Sequence, residues 1–91
     1  GVVIRLAVPQ LTRERRVELM KVIKKKAEEG RVAIRNIRRD TNDQLKSQQK
    51  EGIISEDELK RKQEDVQKMT DRMIKDIDNL LANKEQEIMQ V

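Results

Sequence analysis

The sequence predicts an all-α fold: a long antiparallel helical hairpin that supplies two of the three helices of a three-helix bundle, preceded by a short orphan β-strand. Two observations predict the helices. Ala, Glu, Lys, Leu and Arg account for 42 of the 91 residues, which is close to the half that is typical of long helices. Apolar residues also recur at a mean step of about 3.6 to 3.7 residues through two long segments, and this is the period of an α-helix.

Residues 2–8 predict the strand. They read Val-Val-Ile-Arg-Leu-Ala-Val, and β-branched residues of this kind favour extended structure until Pro9 interrupts the run. Since no second strand pattern follows, the hydrogen-bonding partner is expected outside this chain or in a second copy. A frayed extended tail is the alternative interpretation of this segment.

Capping residues predict the bounds of the first helix. Thr12 is a favourable N-cap, because its hydroxyl can accept a hydrogen bond from the first turn. The helix is therefore expected over about residues 13–50. Gly52 suits the position just after the last turn, where the backbone often adopts a left-handed conformation.

A second helix is predicted over about residues 56–90. Ser55 and Glu58 have the spacing of a capping box, in which the serine accepts a backbone hydrogen bond three residues on. Only a few residues separate the two helices, so they are expected to be antiparallel neighbours. Residues 11–91 are accordingly expected to form one helical bundle domain.

Both apolar stripes are broader than the seam between two helices. The residues that broaden them are Met20, Val22, Ala33, Ile74 and Leu81. A broad stripe packs against two neighbours, so a further helix is expected from outside this sequence. Gly30 lies on the first stripe, where its missing side chain would let the helices approach closely, in return for the roughly 1 kcal/mol of helix propensity that a glycine loses.

The absent residue types exclude most catalytic chemistry. The chain has no Cys, no His and no aromatic residue, so thiol nucleophiles, the commonest general base and the commonest zinc ligands are all missing. No enzyme, metal site or cofactor is therefore expected. No apolar run reaches the length of a membrane span and no signal peptide is visible, so the expected location is the cytoplasm, with no membrane partner.

The charge is polarised along the chain. Residues 12–39 contain 11 basic and 4 acidic residues, whereas residues 40–91 contain 9 basic and 13 acidic residues. At 100° per residue, one side of the first helix presents a ridge beside the apolar stripe. Its members are Lys24, Arg31, Arg35, Arg38 and Asn42.

The basic ridge has two interpretations. The planar guanidinium group suits phosphate, so a row of arginines on a stiff helix fits an RNA or DNA backbone. Alternatively, the side chains could cover the edge of the core with their methylene groups and pair with acids of the second helix. Composition alone does not decide between these.

Several stretches resemble the bacterial ribosome recycling factor family. Residues 31–40 read Arg-Val-Ala-Ile-Arg-Asn-Ile-Arg-Arg-Asp, and the ending at 84–91 reads Lys-Glu-Gln-Glu-Ile-Met-Gln-Val. The stretches at 9–16, 54–58 and 66–71 also resemble the family, in the family's order. One departure is Gln10, where the family commonly has a second proline.

The resemblance implies a particular architecture. Members of the family are L-shaped, with a long three-helix bundle and a small α/β domain inserted after the first helix. Residues 1–10 would then be the strand and linker that return from the α/β domain. The two predicted helices would be the second and third helices of the bundle.

The resemblance also implies a function. The family acts with elongation factor G and GTP to split ribosomes after termination, and its bundle binds the rRNA of the large subunit. Arginines of the R-N-x-R-R motif are central to that contact, and they correspond here to Arg35, Arg38 and Arg39. With two further members of the ridge, the expected rRNA-binding residues are Lys24, Arg31, Arg35, Arg38 and Arg39. Elongation factor G is expected to act mainly through the α/β domain.

Two other functions remain open on the sequence. A helical hairpin beside a strand could be an assembly module of the prefoldin kind. Basic helices could also form a tRNA-binding arm, as at the N-terminus of seryl-tRNA synthetase. In any of these cases the isolated chain is expected to self-associate, because its apolar stripes and its strand lack partners.

Overall fold

The structure is a computed structural model that describes residues 11–90. Two helices make up nearly all of this part of the chain: α1 spans Arg13–Lys50 and α2 spans Glu56–Met89. The predicted helical hairpin is confirmed, and the helix bounds agree with the sequence to within one residue. The strand predicted in residues 1–10 lies outside the described residues.

The predicted caps begin both helices. The Thr12 hydroxyl accepts a hydrogen bond of 3.1 Å from the backbone N–H of Arg15. The Ser55 hydroxyl accepts one of the same length from the backbone N–H of Glu58. Each bond satisfies a donor that the first turn would otherwise leave without an acceptor.

A glycine ends α1 as the sequence predicts. Gly52 has a φ of +78°, and its N–H donates to the carbonyl of Gln49 at 3.0 Å. The N–H of Ile53 donates to the carbonyl of Gln48 at 2.8 Å. These two bonds form a Schellman motif, which turns the chain back so that α2 returns along α1.

The helices pack antiparallel, and two adjacent residue pairs show their register. Arg31 of α1 contacts Asp78 of α2, and Gly30 lies against Ile77. A Cβ atom added to Gly30 would lie 3.2 Å from Cδ1 of Ile77. The expected close approach at the glycine is therefore confirmed.

The seam between the helices is displaced from the centre of the apolar stripes. Ile37 is 65% exposed, whereas its neighbour Arg38 is half-buried. On α2, Met73 and Leu80 are likewise exposed while the residues that follow each of them are half-buried. Each helix thus uses one flank of its stripe for the partner and leaves the other flank open, as expected for stripes broad enough for two neighbours.

The open flanks line two apolar depressions, one that includes Ile37, Met69 and Met73 and one that includes Leu80. We call these four exposed residues the apolar groove. Within residues 11–90 only Ile54 and Thr70 are buried, at 8% and 5% exposure. The two described helices therefore do not enclose a core between them.

The buried Thr70 is satisfied within its own helix. Its hydroxyl donates to the carbonyl of Val66 at 2.7 Å, so this polar group enters the seam without an unmet hydrogen bond. In the part of the chain that the structure describes, no helix is long and apolar enough to cross a membrane.

Candidate nucleic-acid interface

Four of the predicted binding residues lie along one side of α1. Lys24, Arg31, Arg35 and Arg38 are separated by seven, four and three positions, so each lies one or two helical turns from the next. We call these four residues the basic ridge. It extends about 21 Å at a rise of 1.5 Å per residue. Arg39 lies about 100° further around the helix.

Arg31 is the most constrained member of the basic ridge. Its Nε and Nη2 atoms both donate to Oδ1 of Asp78, at 2.8 Å and 2.6 Å. Its Nη1 atom donates to Oε2 of Glu28 at 3.1 Å. The hydrogen bond to Asp78, and with it the one to Glu28, raises the pKa of Arg31 above its ordinary value.

The other arginines are held less firmly. Nη1 of Arg35 lies 3.8 Å from Oε1 of Glu28, and the Arg35 side chain is 47% exposed. The Arg39 side chain is 65% exposed and contacts only its chain neighbour Asp40, at 3.4 Å. Both guanidinium groups are therefore accessible to an anion from solvent.

Lys24 and Arg38 form no ion pair within residues 11–90. Arg38 is half-buried and lines the same depression as Ile37, Thr70 and Met73. Its methylene groups thus cover the seam, while its guanidinium group has no carboxylate to neutralise it. Of the two interpretations of the basic ridge, ion pairing with acids of α2 applies to Arg31 alone among the described residues.

The basic surface is longer than the sequence indicated. Arg13, Arg16 and Lys21 line a shallow depression together with Lys24 and Met89. Nε of Arg16 is buried, and no hydrogen-bond partner for it exists among the described residues. The spacing could have revealed Arg13, because it precedes Lys24 by 11 residues, about three helical turns.

Asn42 follows Arg38 by one turn, where the sequence placed it on the same side of the helix. Its Oδ1 atom is buried and has no hydrogen-bond partner in the described part of the chain. The described helices therefore leave one buried hydrogen-bond acceptor of Asn42 unsatisfied.

No metal site accompanies these residues. Within residues 11–90, no group of three or more Asp and Glu side chains is placed so that it could hold a metal ion. The arrangement can therefore be described by what its guanidinium and ammonium groups do, which is to bind anions through charge-assisted hydrogen bonds.

Comparison with known proteins identifies the family. The family model described as "Ribosome recycling factor" matches residues 1–89. The chain is 81% identical, over all of its 91 residues, to the ribosome-recycling factor of Pelotomaculum thermopropionicum, and 68% identical to that of Desulforamulus reducens. It is 57% identical to that of Bacillus velezensis.

In each of these comparisons the aligned region is 49% of the relative, so the chain spans about half the length of the curated relatives it matches. The family model nonetheless matches almost all of this chain. The chain therefore belongs to the ribosome recycling factor family.

Proposed function

We propose that this chain is the rRNA-docking half of a ribosome recycling factor. In this proposal residues 11–91 supply two helices of the bundle, and residues 1–10 lead in from an α/β domain. The bundle binds the large ribosomal subunit, and elongation factor G with GTP then acts on the factor to split the ribosome after termination. Family membership supports the role.

One observation supports the docking surface more than any other. Arg35, Arg38 and Arg39 lie within about one turn of α1, and no carboxylate from α2 lies within ion-pairing distance of them. Three guanidinium groups on one rigid helix can each donate two parallel hydrogen bonds to a phosphate. The helix fixes the spacing of their backbone positions, so conformational entropy is lost from the side chains alone when RNA binds.

The sequence predicts Lys24, Arg31, Arg35, Arg38 and Arg39 as the binding set, and we propose that the phosphate contacts come from within this set. Its members differ in their accessibility to RNA. Arg31 is the least accessible, because it already donates hydrogen bonds to two carboxylates. The basic residues around Arg16 would extend the same surface toward the start of α1.

The proposed mechanism is mechanical. The described helices form a rod in which α1 alone has 38 residues, about 57 Å at the rise of an α-helix. A rod anchored on rRNA by phosphate contacts can transmit a push from the elongation factor to the contacts between subunits. The protein makes and breaks no covalent bond in this scheme, and no cofactor is required.

The test is co-sedimentation of the 91-residue chain with purified large ribosomal subunits across a potassium chloride series. The wild type would be compared with Arg38→Gln, and Arg72→Gln on α2 removes the same charge at an exposed position away from the ridge. We expect Arg38→Gln to weaken binding by about tenfold and to reduce the slope of log K against log salt by about one. Arg72→Gln should change neither.

Circular dichroism of each variant would establish that the helices persist. Equal losses in both variants, or no salt-dependent binding by the helical wild type, would contradict the proposal. Preferential binding to free tRNA over subunits would instead favour a tRNA-binding arm.

A further inference from the structure

We infer that Asp78 and Glu28 withhold Arg31 from nucleic acid, so that the basic ridge binds phosphate through its other members and Arg31 links the two helices. This inference rests on the proposed function, because it concerns which arginines of the proposed surface contact RNA. We refer to Asp78 and Glu28 together as the acidic clamp.

The acidic clamp uses most of the hydrogen-bonding capacity of Arg31. A guanidinium group has five N–H donors, and three of them are directed at carboxylates here: two at Asp78 and one at Glu28. The Arg31 side chain is only 18% exposed, whereas those of Arg35 and Arg39 are 47% and 65% exposed. Little of this group is left to receive a phosphate.

The carboxylates around Arg31 also oppose phosphate. Nη1 of Arg35 lies 3.8 Å from Glu28, so the ion-paired cluster holds two acids and two arginines and offers a phosphate no unbalanced positive charge. Both carboxylates are more than half exposed, and a phosphate that approached Arg31 would be close to them. The phosphate and the carboxylates are both negative and would repel each other. The repulsion is stronger where the arginine is shielded from water.

The position of the acidic clamp indicates a structural role for Arg31. Arg31 and Asp78 are 47 residues apart in sequence, and their pair adjoins the contact of Gly30 with Ile77, where the helices approach closely. The pair therefore fixes the rotation of α1 relative to α2. Arg35 lies one turn further along α1, and Glu28 reaches it as well, at 3.8 Å. The clamp thus positions the accessible part of the ridge.

Withholding one arginine limits affinity. Each phosphate contact contributes to binding and makes it more sensitive to salt. A factor that acts repeatedly has to leave the ribosome after each cycle, and one fewer contact favours release. Removing Asp78 should consequently tighten binding, which is the opposite of what loss of a merely structural acid would do.

The experiment measures the salt dependence of binding to large ribosomal subunits for the 91-residue chain. The variants are Arg31→Gln, Asp78→Asn and the double variant. Asp76→Asn is the matched control, because Asp76 is an exposed acid of α2 without an ion pair in residues 11–90. Thermal unfolding of each variant is followed in parallel.

We expect Arg31→Gln to lower the melting temperature and to leave the slope of log K against log salt unchanged. Asp78→Asn should increase the magnitude of that slope by about one, because it releases Arg31 for a phosphate, and should tighten binding severalfold at low salt. The double variant should bind like Arg31→Gln, and Asp76→Asn should retain the wild-type slope.

The failure of this inference is distinguishable from the failure of the proposed function. Absence of salt-dependent binding by the wild type would contradict both the proposed function and this inference. If the wild type binds and Arg31→Gln reduces the slope as much as Arg38→Gln does, Arg31 is itself a phosphate contact and the inference alone is overturned. An unchanged slope in Asp78→Asn would also overturn it.

Discussion

Gly30 of α1 lies against Ile77 of α2 where the two helices approach closely, since a Cβ atom at position 30 would lie 3.2 Å from Cδ1 of the isoleucine. This distance is shorter than ordinary van der Waals contact, so there is no room for a side chain unless Ile77 moves. The next residue on each helix, Arg31 and Asp78, forms the ion pair that crosses the seam. Close backbone approach and the cross-helix ion pair therefore occur at the same level of the hairpin.

Replacing Gly30 with a large residue should separate the helices. We expect Gly30→Leu to lower the free energy of unfolding by about 1–3 kcal/mol, because overpacking forces side chains and backbone apart. Thermal unfolding monitored by circular dichroism would measure the loss.

Gly30→Ala is the matched control for this prediction. Alanine gains up to about 1 kcal/mol of helix propensity over glycine, and the end of the flexible Ile77 side chain can yield by a few tenths of an ångström. We therefore expect a net change close to zero. A Gly30→Leu variant as stable as Gly30→Ala would show that the approach of the helices is not constrained at this position.

The turn between the helices depends on Gly52. Its φ of +78° is a conformation in which a Cβ atom costs about 1–2 kcal/mol. Gly52→Ala should therefore destabilise the hairpin by about that amount, while Glu51→Ala, at the preceding position with ordinary helical geometry, should have little effect. Urea unfolding of both variants would test this, and equal stabilities would contradict it.

Local features of the fold could be predicted well from the sequence. Thr12, Ser55 and Gly52 act through hydrogen bonds and backbone preferences within a few residues, so the helix bounds follow from local chemistry. Gly30 could be predicted for a similar reason, because it interrupts an apolar stripe between two alanines.

The choice between adjacent stripe residues could not be predicted in the same way. Ile37 lies on the apolar period of α1 but is 65% exposed, whereas its neighbour Arg38 is half-buried. Both positions suit a broad stripe, and the rotation of α1 against α2 selects between them. The sequence allows ion pairs between the ridge and acids of the second helix, but it does not identify Asp78 as the partner of Arg31, because that depends on the register that brings together residues 47 positions apart.

The apolar groove should make the isolated chain self-associate. Its four members, Ile37, Met69, Met73 and Leu80, are each about half exposed or more. Exposed apolar side chains grouped in this way mark surfaces that bind a partner. We expect a dimer or larger species in sedimentation velocity at micromolar concentration, formed by a second copy that covers the groove.

A charge in the groove should weaken that association. Leu80→Glu places a carboxylate on the face that a second copy would cover, where burial of an unpaired charge is costly. Arg72→Glu introduces the same side chain at an exposed position outside the groove. We expect the first variant to shift the chain toward monomer and the second to leave its association state unchanged. A monomeric wild type would show that the groove does not pair with a second copy.

The shape of the guanidinium group should matter at Arg38 beyond its charge. Lysine retains the positive charge and the aliphatic stem that covers the seam beside Thr70, but it cannot form two parallel hydrogen bonds to one phosphate. We therefore expect Arg38→Lys to bind large ribosomal subunits severalfold more weakly while the slope of log K against log salt stays at the wild-type value. Lys24→Arg changes the side chain in the opposite direction at the other end of the ridge and should bind at least as tightly as the wild type. If Arg38→Lys instead binds like the wild type, charge alone suffices at this position, and the fork geometry of the arginine contributes nothing to docking.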